Sequence, residues 1–190
     1  MTEGLRRVSP KFALPILEYA SLEDDDELQD LWASLLASAA DPNFDGTLRS
    51  AFIDILKQLE VIDVHILQTI YRRYEAIRAG IPTTSGPELW MSNTSDPSPT
   101  NVAIEGPAIM EQLKIGSDLY ENSIDNLTRL RCISSFVETK MVHSDGGRQL
   151  LQMYDYVSFD HHYEYVCMTA FGLSFVEACL GNRQFSSKSV

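Results

Sequence analysis

Apolar residues recur at the spacing of an α-helix through most of the first 80 residues, and this periodicity limits what the chain can fold into. Two helices fit residues 11–40, joined at Ser21–Glu27, where Ser21 or Asp24 is predicted to cap the second helix. Asp41-Pro42 ends that helix, because proline cannot continue its hydrogen-bond ladder. The apolar positions that carry the pattern are Phe12, Ile16, Leu17, Tyr19, Leu28, Leu31, Trp32, Leu35 and Leu36.

Two more helices follow in this half of the chain. One is predicted to begin at Thr47 or Ser50 and to run through Leu59, and the next covers 63–77. Residues 83–101 are rich in Ser, Thr, Pro and Asn, which predicts a loop that carries one short strand.

The C-terminal part has the element order of a winged-helix domain, with two helices, a β-ribbon and a closing helix. A long polar wing, Glu138–Asp160, separates the two strands of the ribbon. The predicted elements are helix Pro107–Leu113, helix Ser117–Leu130, strand Cys132–Val137, strand Tyr163–Met168 and helix Phe171–Leu180.

The pattern as a whole predicts a mainly α protein, in which an N-terminal helical segment (1–60) packs on a C-terminal winged-helix-like domain (61–181) with a small β-ribbon. Residues 182–190 are expected to form a disordered tail. The core is expected to consist of Leu31, Trp32, Leu35, Leu36, Phe52, Leu56, Ile66, Ile70, Leu127 and Phe175.

The net charge of −12 is divided equally between residues 1–80 and 81–190, so neither half is a basic module. This balance counts against nucleic acid as the main partner, because phosphate binding requires clustered Lys and Arg. No apolar run approaches the roughly 20 residues of a membrane helix, and a cytoplasmic protein with no membrane partner is expected. Three cysteines without a C-x-x-C spacing indicate free buried thiols: Cys132, Cys167 and Cys179.

The helix Ser117–Leu130 occupies the recognition-helix position, whose exposed side chains would enter a major groove if the domain bound DNA. Arg129, Arg131 and Lys140 are the candidate nucleic-acid contacts in that case. Three carboxylates on the same helix would instead repel a phosphate backbone, which favours a winged helix that contacts protein. These carboxylates are Asp118, Glu121 and Asp125.

No catalytic residue, cofactor site or metal site is predicted, and an enzyme is the less favoured class. Asp160, His162 and Glu164 would share one face of a strand and have the right chemistry for a divalent metal, but a solvated polar edge explains them better. The acidic run Glu23–Glu27 is interpreted as capping and solvated surface at a helix start. His65 is expected to be a partly buried histidine.

An ordered series of segments along the chain resembles a known family. These segments are Pro10–Ala20, Glu27–Leu36, Phe52–Leu59, Asp63–Leu67, Asp125–Leu130 and Met168–Gly172, with Phe175, Ala178 and Cys179. The series is similar to the bacterial abortive-infection alpha (Abi-alpha) family, also described as a domain of unknown function. The resemblance spans about residues 10–180 and implies a role in phage defence, with no catalytic residues to carry over. The long wing departs from the family pattern and leaves the partner open.

These observations predict a non-enzymatic protein-interaction component of phage defence, of the abortive-infection type. The alternative is a winged-helix DNA-binding transcriptional regulator. The expected partner is an unidentified protein, with phage proteins among the candidates. The amphipathic stretch Glu23–Ala40 suits a homo-oligomer contact and a monomer core equally well.

Overall fold

The computed structural model describes residues 4–79, 89–90, 102–139 and 162–180. Within these ranges the chain is mainly helical, with seven helices and a small antiparallel sheet. The helices are α1 (Pro10–Ala20), α2 (Asp26–Ala40), α3 (Ala51–Leu56), α4 (Val61–Arg78), α5 (Gly106–Leu113), α6 (Ser117–Arg129) and α7 (Ala170–Leu180). The strands are β1 (Leu89–Trp90), β2 (Val102–Glu105), β3 (Ile133–Thr139) and β4 (His162–Met168).

Helix α2 begins where a carboxylate accepts its first free amide groups. The side chain of Asp25 accepts hydrogen bonds from the backbone N–H of Glu27 at 2.8 Å and of Leu28 at 3.2 Å. The predicted caps, Ser21 and Asp24, are therefore wrong, because Asp25 is the residue that occupies the N-cap position. The predicted end of the helix at Asp41-Pro42 is confirmed.

Helix α3 is shorter than predicted because its last turn tightens. Beyond Leu56, the N–H of Gln58 bonds to the carbonyl of Ile55 at 2.8 Å, three residues back instead of four. Helix α4 then begins at Val61, two residues earlier than predicted, behind a capping box formed by Glu60 and Asp63. In that box, the N–H of Glu60 donates to Asp63 Oδ2 at 3.0 Å.

The sheet has the strand order β1-β2-β4-β3, and all its neighbours are antiparallel. The expected ribbon of β3 and β4 is confirmed, with a register that runs from Ile133 opposite Met168 to Thr139 opposite His162. Strand β2 was not predicted, and it pairs with the free side of β4, with Ala103 opposite Cys167. Residues 140–160 of the predicted wing and the predicted tail (182–190) lie outside the described residues, and the first two wing residues belong to β3.

One continuous hydrophobic core joins the N-terminal helices to the C-terminal elements. Nine of the ten predicted core residues are buried, and Leu36 is half-buried at the edge of the core. Helix α2 packs on α7, where Ser38 Oγ donates to the carbonyl oxygen of Ala178 at 2.7 Å. The domain division at residue 60 stays a prediction, and this core crosses it.

Helix α7 lies against the backbone at the start of β3, and a glycine permits the close approach. A Cβ atom built on Gly172 would lie 1.9 Å from the carbonyl oxygen of Cys132. The hydroxyl of Thr169 donates to the carbonyl of Arg131 at 2.6 Å and accepts from the N–H of Gly172 at 2.9 Å. These contacts fix the first turn of α7 on the ribbon.

Candidate interaction surface

Helix α6 presents one buried face and one acidic exposed face. Its buried side chains, which include Ile124 and Leu127, pack into the core. The opposite side carries what we call the α6 face, which has three carboxylates, one amide and one partly exposed leucine. Its members are Asp118, Leu119, Glu121, Asn122 and Asp125. These five residues carry a formal charge of −3, which Arg129, one turn beyond Asp125, reduces to −2, and this remaining negative charge suits a cationic partner surface.

The last turn of α6 is tied to the connection between α3 and α4 by a polar network. Asn126 Nδ2 donates to Asp63 Oδ2 at 2.8 Å and to the carbonyl of Gln58 at 2.9 Å. Asp63 is 2 % exposed, so this amide partner satisfies a buried carboxylate. The network therefore fixes the orientation of α6 and of the face it presents.

Arg129 belongs to the same network. Its Nη1 donates to Gln58 Oε1 at 2.9 Å, and its Nη2 donates to Asn126 Oδ1 at 2.6 Å. Two of its five N–H donors are thus used within the protein, and the guanidinium is held at the C-terminal end of α6. This geometry makes Arg129 an anchor between helices.

The other two candidate nucleic-acid contacts are Arg131 and Lys140. Arg131 is exposed and has a φ of 61°, in the left-handed region, in the turn between α6 and β3. Lys140 lies outside the described residues. A nucleic-acid contact by Arg129, Arg131 and Lys140 stays a prediction.

The cysteines that the structure describes are buried and free of disulfides, as predicted. Burial, followed by the nearby charge of Asp63, raises the pKa of Cys132 to about 12. Burial also raises the pKa of the Cys167 thiol. Because the thiolate is the nucleophilic form, these two side chains are unreactive near neutral pH.

The candidate metal ligands and the acidic run have different outcomes. Asp160 lies outside the described residues, so the predicted cluster with His162 and Glu164 stays a prediction. Among the residues that the structure does describe, no group of three or more His, Cys, Asp or Glu is placed to hold a metal ion. Within the acidic run, Glu27 Oε2 lies 2.9 Å from His65 Nε2 and joins α2 to α4, while His65 is partly buried as expected.

An aromatic hollow between α1, α2 and α3 was missed by the sequence analysis. It has a volume of about 200 Å³ and is lined by Tyr19, Leu22, Glu23, Trp32 and Lys57. The Lys57 ammonium lies 4.3 Å from the centre of the Tyr19 ring, and that ring stacks on Trp32 with centroids 6.0 Å apart. A hydrogen bond with Tyr19 raises the pKa of Lys57. No local sequence pattern links these residues, because they come from α1, from α2, from the connection between them and from the C-cap of α3.

Comparison with known proteins places the chain in a family. The family model described as abortive infection alpha matches residues 2–179 of the 190. The chain belongs to the abortive infection alpha family. The resemblance identified from the sequence is thereby confirmed. No curated protein and no solved structure matches this abortive infection alpha chain.

The family match includes every helix of the described chain except the last residue of α7. It therefore includes the α6 face, the Asp63 network and the α2–α7 contact. Among the helices of the described chain, none is both long enough and apolar enough to span a membrane.

Proposed function

We propose that this abortive infection alpha protein acts in phage defence as a non-enzymatic component that binds another protein through the α6 face. Family membership supports the defence role. The observation that carries the binding mode is the acidic exposed side of α6, held in one orientation by the Asp63 network. The partner is expected to present Lys and Arg side chains around an apolar centre that accepts Leu119.

The winged-helix interpretation supports the choice of α6. The elements α4, β1, β2, α5, α6, β3 and β4 follow one another as a helix, two short strands, two helices and an antiparallel ribbon. In such a module the second helix of the pair is the recognition helix, which here is α6. We infer that α6 has kept the exposed position of a recognition helix and uses it for a protein.

The electrostatics of α6 favour protein over DNA. A recognition helix that contacts phosphates needs free cations, yet Arg129 already donates to Gln58 and Asn126. Three carboxylates on the α6 face would be brought toward the phosphate backbone, and their repulsion would weaken binding at every sequence. A cationic protein surface would gain from the same three charges.

A phage challenge tests the defence role. Cells that express the chain and cells that carry an empty vector are infected with a diverse phage panel, and plaque numbers and culture survival are compared. We expect fewer plaques and greater survival of the culture at low phage dose for at least one phage. Equal plaque numbers and equal survival across the panel would remove the support for this role.

Fluorescence anisotropy of the purified chain with duplex DNA separates the two binding modes. We expect no binding at about 50 mM salt, where phosphate contacts are strong. Tight binding that weakens steeply by about 200 mM salt would favour the regulator instead. In that case, replacing Arg129, Arg131 and Lys140 by Ala should abolish it, and unchanged binding would exclude this placement of the site.

A further inference from the structure

Helix α1 carries an apolar stripe on its outer side that no part of the described chain covers. Leu14 is 66 % exposed and Leu17 is 54 % exposed, and their spacing of three residues places them on one face. The other side of the helix packs on the core through Phe12, Ile16 and Tyr19. Apolar side chains on both sides of one short helix indicate two contacts, of which the described part of the chain supplies one.

The two charged residues of α1 lie on one edge of this stripe. Lys11 and Glu18 are both exposed, and a separation of seven residues, about two turns, brings them to the same edge. No ion pair joins either side chain to another residue of the described chain. The helix is therefore electrically neutral within a protein whose net charge is −12.

We propose that the outer face of α1 binds the α1 helix of a second copy of this chain in an antiparallel pair. When Leu14 of each copy lies opposite Leu17 of the other, Lys11 of one copy lies opposite position 20 of the other. Glu18 of that other copy is then only two residues away along the helix axis, or about 3 Å. Like edges face each other in an antiparallel pair, so Lys11 of each copy meets Glu18 of the other and two ion pairs form. In a symmetric parallel pair the charged edges of the two copies lie on opposite sides of the contact, so neither Lys11 meets a Glu18.

Charge is the reason to favour a second copy. Two molecules of net charge −12 repel each other over most of their surfaces, and α1 is a neutral helix whose charges complement themselves. An anionic lipid surface would meet the same repulsion without that complementarity. The contact is separate from the α6 face, and the inference goes beyond the proposed function and does not depend on it.

Sedimentation equilibrium of the full chain over a range of concentrations tests the pairing. Because a pair of 11-residue helices buries less than the roughly 1,600 Å² of a standard interface, we expect a reversible dimer. The weight-average mass should rise with concentration from 21.4 kDa toward twice that value. In Leu14→Ser/Leu17→Ser it should stay at 21.4 kDa, whereas Leu119→Ser should behave as the wild type.

Charge reversal tests the antiparallel arrangement. Lys11→Glu alone and Glu18→Lys alone should each remain monomeric, because like charges then face each other. An equimolar mixture of the two variants should dimerise, because one copy supplies both carboxylates and the other both ammonium groups. Lys11→Glu places a negative charge near the N-terminus of α1, and Glu18→Lys places a positive charge near its C-terminus. Both changes interact favourably with the helix dipole, so unfolding of α1 cannot explain a loss of the dimer. Arg49→Glu and Glu111→Lys make the same charge changes elsewhere and should leave the association unchanged.

Three results would overturn the proposal. One is a wild-type chain that stays monomeric at every concentration. This result would also overturn the proposal if the monomer co-sedimented with phosphatidylcholine vesicles and the Leu14→Ser/Leu17→Ser variant did not. Another is a dimer that persists in the leucine double variant. The third is a mixture of the two charge variants that fails to associate when the wild type does.

Discussion

The replacement Gly172→Ala sets two physical effects against each other, and the structure determines which one prevails. In a helix interior, alanine is favoured over glycine by about 1 kcal/mol, which is an upper limit for Gly172 because it lies in the first turn of α7. On local propensity alone, the substitution should therefore stabilise α7. The structure predicts the reverse, because the new methyl group would lie 1.9 Å from the carbonyl oxygen, 2.6 Å from the carbonyl carbon and 2.8 Å from the Cα of Cys132.

The magnitude follows from what would have to move. All three neighbours are backbone atoms, so the clash cannot be relieved by a side-chain rotation. Helix α7 would have to retreat by roughly 1 Å or more to restore contact distance, and overpacking of this kind costs about 1–3 kcal/mol, occasionally more. Phe175, buried beside Phe52, and the bond between Ser38 and Ala178 resist that retreat. We expect a net loss of about 2 kcal/mol.

Urea denaturation of the wild type and of Gly172→Ala measures this loss directly. In a thermal scan the same loss corresponds to a melting temperature lower by roughly 4–8 °C for a chain of this size. Ser174→Ala, in the same helix, is the matched control, because it changes propensity without meeting the β3 backbone. An unchanged or raised urea midpoint for Gly172→Ala would refute the inferred packing of α7 on β3.

Three further predictions concern polar groups. Asn126→Ala removes a hydrogen-bond donor from the buried Asp63 carboxylate and should lower the free energy of unfolding by about 1–3 kcal/mol, so an unchanged urea midpoint would contradict the network. Burial raises the pKa of Cys132 from 9.0 to about 12, and above pH 9 the unfolded chain releases this proton while the folded chain keeps it. The free energy of unfolding should therefore fall as pH rises from 9 to 12, with a smaller fall in Cys132→Ala; equal pH dependence in the two proteins would argue against this origin. His65→Ala should cost less than about 1 kcal/mol, because the side chains of His65 and Glu27 are 38 % and 55 % exposed, and a larger loss in a thermal scan would show that the pair is stronger than its exposure allows.

The helical core was predictable because apolar spacing reports directly on burial in an amphipathic helix. This worked for α2, where Leu31, Trp32 and Leu35 are all buried. It worked less well for α1, where nearly every residue is apolar and the pattern does not distinguish the two sides. Leu17 belongs to the same apolar pattern as Ile16 and Tyr19 in the sequence, yet its side chain lies on the outer face of α1.

Long-range pairings account for most of what the sequence did not predict. Strand β2 has only four residues, and it exists because β4, about 60 residues later, offers a free edge. Arg129 was a candidate phosphate contact because its position on α6 is exposed. Its actual partner, Gln58, is 71 residues away in the sequence, and no periodic pattern links the two positions.

The cap of α2 was missed for a local reason. Asp24, Asp25 and Asp26 are adjacent, and each has the carboxylate that an N-cap requires. Only the backbone geometry selects Asp25, whose extended conformation directs its side chain at the amides of Glu27 and Leu28. Propensity identifies the residue type at such a boundary and cannot choose among three equivalent neighbours.

The proposed role of the α6 face is tested by culture survival after phage infection, measured with charge variants of this face. The variant Asp118→Asn/Glu121→Gln/Asp125→Asn removes three charges with little change in shape, and Asp24→Asn/Asp45→Asn/Asp54→Asn removes three exposed charges elsewhere. If the α6 face binds the partner, the first variant should lose protection against a phage that the wild type restricts, and the second should retain it. Full protection by the first variant, expressed at the wild-type level, would contradict the proposed role of this face.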